Sequence, residues 1–122
     1  KKYKKSNISK EQAEATIHNL ESYMDDERPW LSSDLTLYDL AESIDLSTNQ
    51  LSQILNEFIG KNFYDYINTY RLKYFLNLKK ENKFKDFTIL GLAYESGFNS
   101  KTTFNTFFKK TTGKTPSEYF KI

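Results

Sequence analysis

Two stretches of this sequence are versions of one another, and they decide its fold. Residues 36–61 read TLYDLAESIDLSTNQLSQILNEFIGK, and residues 88–114 read TILGLAYESGFNSKTTFNTFFKKTTGK. Thr36 and Thr88 stand 52 residues apart, whereas Gly60 and Gly113 stand 53 apart, so one residue has been inserted at the turn between them. Apolar positions and both glycines coincide. We interpret the chain as a duplicated helix-turn-helix unit, since two copies are too few for a solenoid.

Each copy predicts two short helices separated by a tight turn. In the first copy, Thr36 with Asp39 and Ser47 with Gln50 have the spacing of capping boxes at helix starts. Gly60 is expected to end the second helix in a left-handed cap. The i, i+3, i+4, i+7 spacing predicts an inner face of Leu51, Ile54, Leu55 and Phe58.

The second copy repeats this pattern and continues into a last helix. Thr88 is the expected cap of its first helix, Gly97 stands in the turn, and Gly113 ends its second helix. Thr115, Pro116 and Glu118 then combine a cap, a first-turn proline and a capping box. The expected inner face of the second helix is Phe104, Phe107 and Phe108.

A longer helix over residues 62–80 joins the two copies, with Asn62 as its expected cap. Its 18 residues FYDYINTYRLKYFLNLKK would span about 27 Å at about 1.5 Å rise per residue. Its apolar stripe is predicted as Phe63, Tyr66, Ile67, Tyr70, Tyr74, Phe75 and Leu78.

Another helix is predicted ahead of the first copy, from a Ser9–Gln12 capping box to Arg28, just before Pro29. Trp30 is expected to pack this helix against the later part of the chain. The opening KKYKKS is a basic arm, either a solvated terminus or a cytoplasmic segment after a membrane span. The predicted fold is therefore all-α, with an arm and helix over 1–34 and a domain that contains the duplicated unit over 35–122. The latter divides into 35–61, the linker helix 62–80 and 87–122.

Composition excludes several functions. The chain of 122 residues has no cysteine and a single histidine, and it has no glycine-rich phosphate loop. We therefore expect no enzyme, no cofactor and no metal site, and we expect His18 on the surface. Residues 36–122 carry twelve Lys/Arg against nine Asp/Glu. This net charge of +3 modestly favours an anionic partner. Because the chain starts with Lys, we expect it to be part of a longer protein.

The second helix of each copy has a polar outer face. The i, i+3, i+4, i+7 positions are Asn49, Ser52, Gln53 and Asn56 in the first copy, and adding 53 gives Thr102, Asn105, Thr106 and Lys109. Amide and hydroxyl side chains contact base edges in a DNA major groove, whereas ordinary solvated faces mix Glu with Lys. The same composition in both copies favours DNA reading over a solvated face. The twenty aromatic residues could form a platform for single strands, but their spacing favours core packing.

The chain from about Leu35 to Ile122 resembles the DNA-binding domain of AraC/XylS-type transcription regulators. The resemblance rests on LTLYDLAESIDLS, on INTYRL and above all on LAYESGFNSKTTFNTFFKKTTGKTPSEY. It implies two helix-turn-helix subdomains joined by a linker helix, which bind double-stranded promoter DNA and regulate transcription. The front segment is similar to that of Bacteroidetes-type members, whose DNA-binding domain often ends a membrane-bound sensor or hybrid two-component protein.

The expected base-reading residues are Asn49, Ser52, Gln53, Lys101, Thr102, Asn105 and Thr106. The expected phosphate contacts are Thr48, Asn56, Lys61, Lys109, Lys110 and Lys114. RNA polymerase and the rest of a longer sensor or regulator chain are further expected partners, and the expected location is the cytoplasm. The alternative function is a helical interaction or dimerisation module of a signalling protein.

Three residues depart from the family pattern. Asp45 stands where the family usually has a turn glycine, as Gly97 does in the second copy. Phe75 replaces a common alanine, which implies different packing of the linker helix. Phe120 replaces a common basic residue, which implies the loss of a phosphate contact.

Overall fold

The computed structural model describes residues 8–122, so the basic arm KKYKKS lies outside the described residues. Over this part of the chain the protein is all-helical, as predicted, and contains no strand. The seven α-helices are α1 (Lys10–Glu27), α2 (Leu37–Ser43), α3 (Thr48–Gln53), α4 (Phe63–Lys80), α5 (Ile89–Glu95), α6 (Lys101–Thr112) and α7 (Pro116–Phe120). Short 3₁₀ turns lie at Pro29–Leu31 and Asn82–Phe84.

The helices begin at the capping residues predicted from the sequence. Capping boxes are present at Ser9, Thr36, Ser47 and Thr115, where each hydroxyl accepts a hydrogen bond from the third helical N–H. Asn62 Oδ1 accepts from Asp65 N–H at 2.8 Å at the start of α4. The sequence reasoning missed Ser100, whose Oγ accepts from Thr103 N–H at 3.0 Å and caps α6.

The second helix of the first copy is not α-helical throughout. After α3 the chain continues as a π-helix over Ile54–Ile59, and Gly60 ends it at φ 80°. Gly60 N–H donates to the carbonyl of Leu55, five residues back, at 2.7 Å. A π-turn is wider than an α-turn, so i and i+7 no longer share a face. The prediction that Phe58 belongs to the inner face is therefore wrong, because this side chain is 38% exposed.

The described residues divide into two compact units. The first contains residues 8–29 and Leu35–Tyr66, that is, α1, α2, α3 with its π-helical extension, and the first turn of α4. Within it, α2 packs on α3, and α1 contacts the π-helix. Its buried apolar side chains are Ala13, Leu20, Met24, Leu40, Ala41, Leu51, Ile54, Leu55, Phe63 and Tyr66.

The second unit contains Trp30–Asp34 and Ile67–Ile122. Its core is an aromatic cluster around Phe75, which is fully buried and lies 4.9 Å from Phe104 between ring centroids. Phe75 therefore fills the centre of the unit, where the family pattern has a small residue. Phe120, half-buried, packs against Phe75 and Phe108 at about 6 Å. Its replacement of a basic residue adds a ring to this core.

Candidate nucleic-acid interface

The outer side of α3 begins at the Ser47 cap. Gln50 Oε1 accepts from Ser47 N–H at 2.8 Å, so the amide oxygen of this exposed side chain closes the capping box. Asn49 is exposed, and Ser52 and Gln53 are half-buried on the side away from the buried Leu51. The first unit thus presents two amides and one hydroxyl as base-reading candidates within the α-helical part of its second helix.

Asn56, the last member of the predicted face, lies in the π-helix. Its Nδ2 donates to the carbonyl of Ser52 at 2.9 Å, although the side chain is exposed. A phosphate contact from Asn56 must therefore share an amide that already binds the helix backbone. The predicted phosphate role of Asn56 stays a prediction.

Thr48 lines a surface cavity of about 480 Å³ beside α2. Glu42 and Asp45 line the same cavity. A phosphate at Thr48 would approach these two carboxylates, and like charges repel. Lys61 is exposed and follows the Gly60 cap, outside this acidic cavity. In the first unit, Lys61 is thus the better placed of these two predicted phosphate contacts.

The second unit has a longer and more cationic outer face. Its second helix, α6, is regular over 12 residues, and Gly113 N–H donates to the carbonyl of Lys109, four residues back, at 2.8 Å. The predicted residues of this face are all solvent-accessible: Asn105 is half-buried, and Lys101, Thr102, Thr106, Lys109, Lys110 and Lys114 are exposed.

Two surface cavities flank Asn105. One, of about 410 Å³, is lined by Asn105, Thr106, Lys109, Lys110 and Thr115. The other, of about 290 Å³, also contains Lys101, Asn105 and Thr115. Around these two cavities the structure brings together five of the predicted residues of α6, Lys101, Asn105, Thr106, Lys109 and Lys110, whereas Thr102 lines neither cavity. The structure also adds Thr115, which sequence reasoning treated only as a cap.

Electrostatics in this region centre on Glu118. The hydrogen bonds from Thr115 backbone and side chain, with smaller contributions from Lys109 and Lys114, hold the pKa of the Glu118 carboxyl below its usual range. The carboxylate is therefore ionised at neutral pH and offsets part of the local positive charge. Among residues 8–122 there is no cluster of His, Asp or Glu suited to a metal ion.

Two helix-turn-helix units in one chain, each with a polar, solvent-accessible second helix, define a DNA-binding domain of a transcription regulator. Residues 40–122 match the family model described as "Helix-turn-helix domain". The chain belongs to this family, in its AraC-type branch. The family consists of DNA-binding regulators and is not an enzyme class.

Curated relatives carry the same domain in longer chains. An uncharacterised HTH-type transcriptional regulator of Staphylococcus aureus (strain COL) is 34% identical over 86 residues, which is 70% of this chain. The chain spans only 11% of that relative's length. The TCP pilus virulence regulatory protein of Vibrio cholerae is 43% identical over 60 residues, covering 49% of this chain and 21% of the relative.

Solved structures share the fold. A Listeria innocua protein of unknown function superposes with a TM-score of 0.70 at 30% identity, covering 86% of this chain and 94% of the other. The C-terminal domain of AraT, a response regulator from Geobacillus stearothermophilus, gives a TM-score of 0.68 at 24% identity, covering 93% and 86%. Within the described range, no helix has the length and apolarity of a membrane span.

Proposed function

We propose that this chain binds double-stranded promoter DNA in a sequence-specific manner by placing α3 and α6 in successive segments of the major groove. One observation carries the proposal. The second helix of each duplicated unit presents amide and hydroxyl side chains to solvent on its outer side, at matched positions. A helix-turn-helix inserts its second helix into the major groove, where such side chains distinguish base pairs.

The residue types suggest what each helix reads. Asn49, Gln53 and Asn105 suit bidentate contacts to the N6 and N7 edge of adenine, and Lys101 suits guanine O6 and N7. Ser52, Thr102 and Thr106 can contact either bases or phosphates. The first helix therefore favours A·T pairs, and the second helix reads a mixed segment.

Phosphate contacts are proposed mainly for lysines. Lys61 follows the cap of the first unit, and Lys109, Lys110 and Lys114 lie on or just after α6. Each neutralised phosphate releases counterions, which makes binding tighter at low salt. The second unit accordingly supplies most of the sequence-independent affinity.

We further propose that α4 sets the spacing of the two reading helices. Its 18 residues correspond to about 27 Å, of the order of the roughly 34 Å between successive major-groove segments on one face of DNA. A continuous helix is a stiff spacer, whereas a coil would allow many separations. We therefore propose that the length and stiffness of α4 set the separation of the two reading helices.

The direct test starts from DNA selected by the chain from a random double-stranded pool. Gln53→Ala and Asn105→Ala should each weaken binding to the selected site by about 5- to 150-fold, which corresponds to roughly 1–3 kcal/mol for a bidentate base contact. Each should also flatten base preference at one position. Thr111→Ala, an exposed change on α6 outside the predicted face, is the matched control. Unchanged affinity and preference in both variants would refute the base-reading assignment.

The spacer proposal has its own test at Thr69, an exposed position in the middle of α4. Thr69→Pro should break the helix, at about 3 kcal/mol, and reduce full-site affinity to that of a single half-site. Thr69→Ala should bind normally. Asn68 is less suitable because it is buried and accepts a hydrogen bond from Arg71. Full-site binding by a folded proline variant would rule out α4 as a spacer.

An interaction or dimerisation module is the second candidate. It is favoured by exposed aromatic side chains, among them Tyr38 at 60% and Tyr64 at 71% exposure. Association with a protein partner that does not respond to salt, together with no retardation of DNA, would support this candidate over DNA binding.

The context of the domain is also proposed. The resemblance of its front segment to Bacteroidetes-type members suggests the output domain of a membrane-anchored or hybrid sensor. RNA polymerase is the partner through which such a domain would act, and the cytoplasm is where it would meet promoter DNA. Co-purification of the full-length protein with polymerase on promoter DNA, and fractionation of cells, would test these points.

A further inference from the structure

The second unit contains a buried cation, Arg71 of α4, which is 7% exposed. Nε donates to the carbonyl of Trp30 at 2.7 Å, Nη2 donates to the carbonyl of Ser32 at 2.8 Å, and Nη1 donates to Asn68 Oδ1 at 3.0 Å. All three acceptors are neutral. Burial lowers the pKa of Arg71 to about 10, so the guanidinium stays charged at neutral pH. A buried charge without a carboxylate depends on these hydrogen bonds.

Two of the three acceptors belong to the Trp30–Asp34 segment, which the chain reaches directly after α1. Trp30 is 5% exposed. Its ring stacks on Tyr70 at 6.0 Å and meets the edge of Tyr74 at 5.3 Å between centroids. The segment is thus held on α4 by both polar and aromatic contacts, although it precedes the first helix-turn-helix in sequence.

The same segment lies against the turn of the second helix-turn-helix. A Cβ added at Gly97 would stand 2.3 Å from the Trp30 carbonyl oxygen, 2.9 Å from Arg71 Nε and 3.1 Å from Leu31 Cα. The turn backbone therefore touches both the segment and the guanidinium. Gly97 is needed here for its φ of 102° and also for the absence of a side chain.

This turn determines how α6 leaves α5. Phe98 follows Gly97, donates its N–H to the carbonyl of Ala93 at 3.1 Å, and is 1% exposed against Phe104 of α6. A shift of the turn would move Phe98, and with it the N-terminal end of α6, which carries Lys101 and Asn105.

We infer that the Trp30–Asp34 segment, bound by Arg71, supports the turn of the second helix-turn-helix and thereby orients α6 for DNA reading. Arg71 is then a positioning residue, and the segment lies outside residues 40–122 that define the family match. This inference rests on the proposed function, since it concerns DNA reading by α6. It adds residues that make no base contact.

The test uses Arg71→Lys, Arg71→Met and Gly97→Ala. Lys73→Met is the control for the two Arg71 variants, and Gly113→Ala is the control for Gly97→Ala. Lys73→Met removes an exposed cation on the same helix, and Gly113→Ala adds a methyl group at φ 82° where nothing lies within 4 Å. Gly113→Ala therefore measures the backbone cost of alanine alone, whereas Gly97→Ala adds the collision with the segment. Circular dichroism at the working temperature identifies the variants that are folded.

Hydrogen exchange of backbone amides is the first measurement and needs no DNA. Exchange of the backbone amides at positions 97 and 98 should rise at least tenfold in Arg71→Lys, Arg71→Met and Gly97→Ala. The Leu46 amide in the corresponding turn of the first unit should not change, and neither should exchange in Lys73→Met. Unaltered exchange at Gly97 and Phe98 in folded variants would overturn the inference.

DNA binding is the second measurement. Arg71→Lys should weaken binding to the selected site by tenfold or more and flatten preference at the base pairs read by α6, while preference at those read by α3 persists. Faster exchange with wild-type affinity and preference would show that the segment only packs, and would overturn the inference. If the wild-type chain bound no DNA, the proposed function would fail, whereas the exchange data would still decide whether the segment holds the turn.

Discussion

At the scale of single residues, the two copies use different residues for the same turn. Gly97 has a φ of 102° and no room for a side chain, whereas Asp45 adopts a φ of 61° and is exposed. The turn therefore tolerates Asp45 in place of the family's usual glycine, because the Asp45 side chain is exposed. Aspartate accepts the left-handed region at some cost in energy.

We expect Asp45→Gly to raise the free energy of unfolding by roughly 0.5–1 kcal/mol, because relief of left-handed strain exceeds the added chain entropy of glycine. Asp45→Ala should lower the free energy of unfolding, since alanine adopts the left-handed region less readily than either glycine or aspartate. Urea unfolding curves of the three proteins would measure both changes. A less stable glycine variant would mean that the Asp45 carboxylate makes a stabilising interaction of its own.

Glu118 predicts a pH dependence of α7. Its pKa is lower in the folded chain than the ordinary 4.5, so its contribution to stability is present above pH 4.5 and is lost as the pH falls through the folded pKa. We expect the start of α7 to fray on acidification, and backbone amide shifts of Thr115 and Glu118 would report it. Glu118→Gln keeps an acceptor but does not titrate in this range. If the glutamine variant frayed over the same pH range, the effect would belong to another group.

At the scale of elements, the two reading helices have equal residue numbers but different geometry. Twelve residues separate Ser47 from Gly60, and twelve separate Ser100 from Gly113. The first set changes from α to π after Gln53, whereas the second stays α-helical. The readable face of the first helix is consequently shorter, and Asn56 turns to the Ser52 carbonyl.

Because of this geometry, Leu55 and Phe58 are expected to contribute unequally to stability. Leu55→Ala should lower the free energy of unfolding by about 2–5 kcal/mol, as expected for a fully buried leucine. Phe58→Ala should cost clearly less, because its side chain is 38% exposed. Urea titration of both variants would compare them. Equal losses would indicate that Phe58 is packed inward in solution and that the helix is α-helical there.

At the scale of the whole molecule, the distribution of lysines between the two units matters more for DNA binding than the net charge. The net charge is only +2, yet four lysines are predicted to contact phosphate, and three of them, Lys109, Lys110 and Lys114, lie in the second unit. Glu42 and Asp45 line the cavity beside Thr48 in the first unit. Electrostatic affinity should therefore come chiefly from the second unit.

Four lysine contacts to phosphate predict a slope of about −3.6 for the logarithm of the binding constant against the logarithm of salt concentration. Lys109→Ala should make the slope shallower by about one and should weaken binding to all sequences alike. Lys73→Ala, on exposed α4 surface, should leave the slope unchanged. Fluorescence anisotropy over a salt series would give these slopes. A wild-type slope near zero would exclude the proposed phosphate contacts.

Local features could be predicted from the sequence because their causes are local. A hydroxyl or amide before a helix satisfies N–H groups within three residues, and Gly60 or Gly113 supplies a conformation that other residues rarely adopt. The capping boxes, both glycine stops and the duplicated unit were accordingly predicted. The π-helix was not, because its hydrogen bonds differ by one residue from an α-helix and leave no distinct periodicity over six residues.

The sequence by itself determined the helices, their duplication and the polar outer faces, since spacing along a helix decides which side chains share a side. Only the tertiary structure decided that Phe120 joins the core around Phe75, and that Arg71 binds the Trp30 and Ser32 carbonyls. These contacts join residues about 40 positions apart. They depend on packing of the whole second unit, which no local pattern in the sequence encodes.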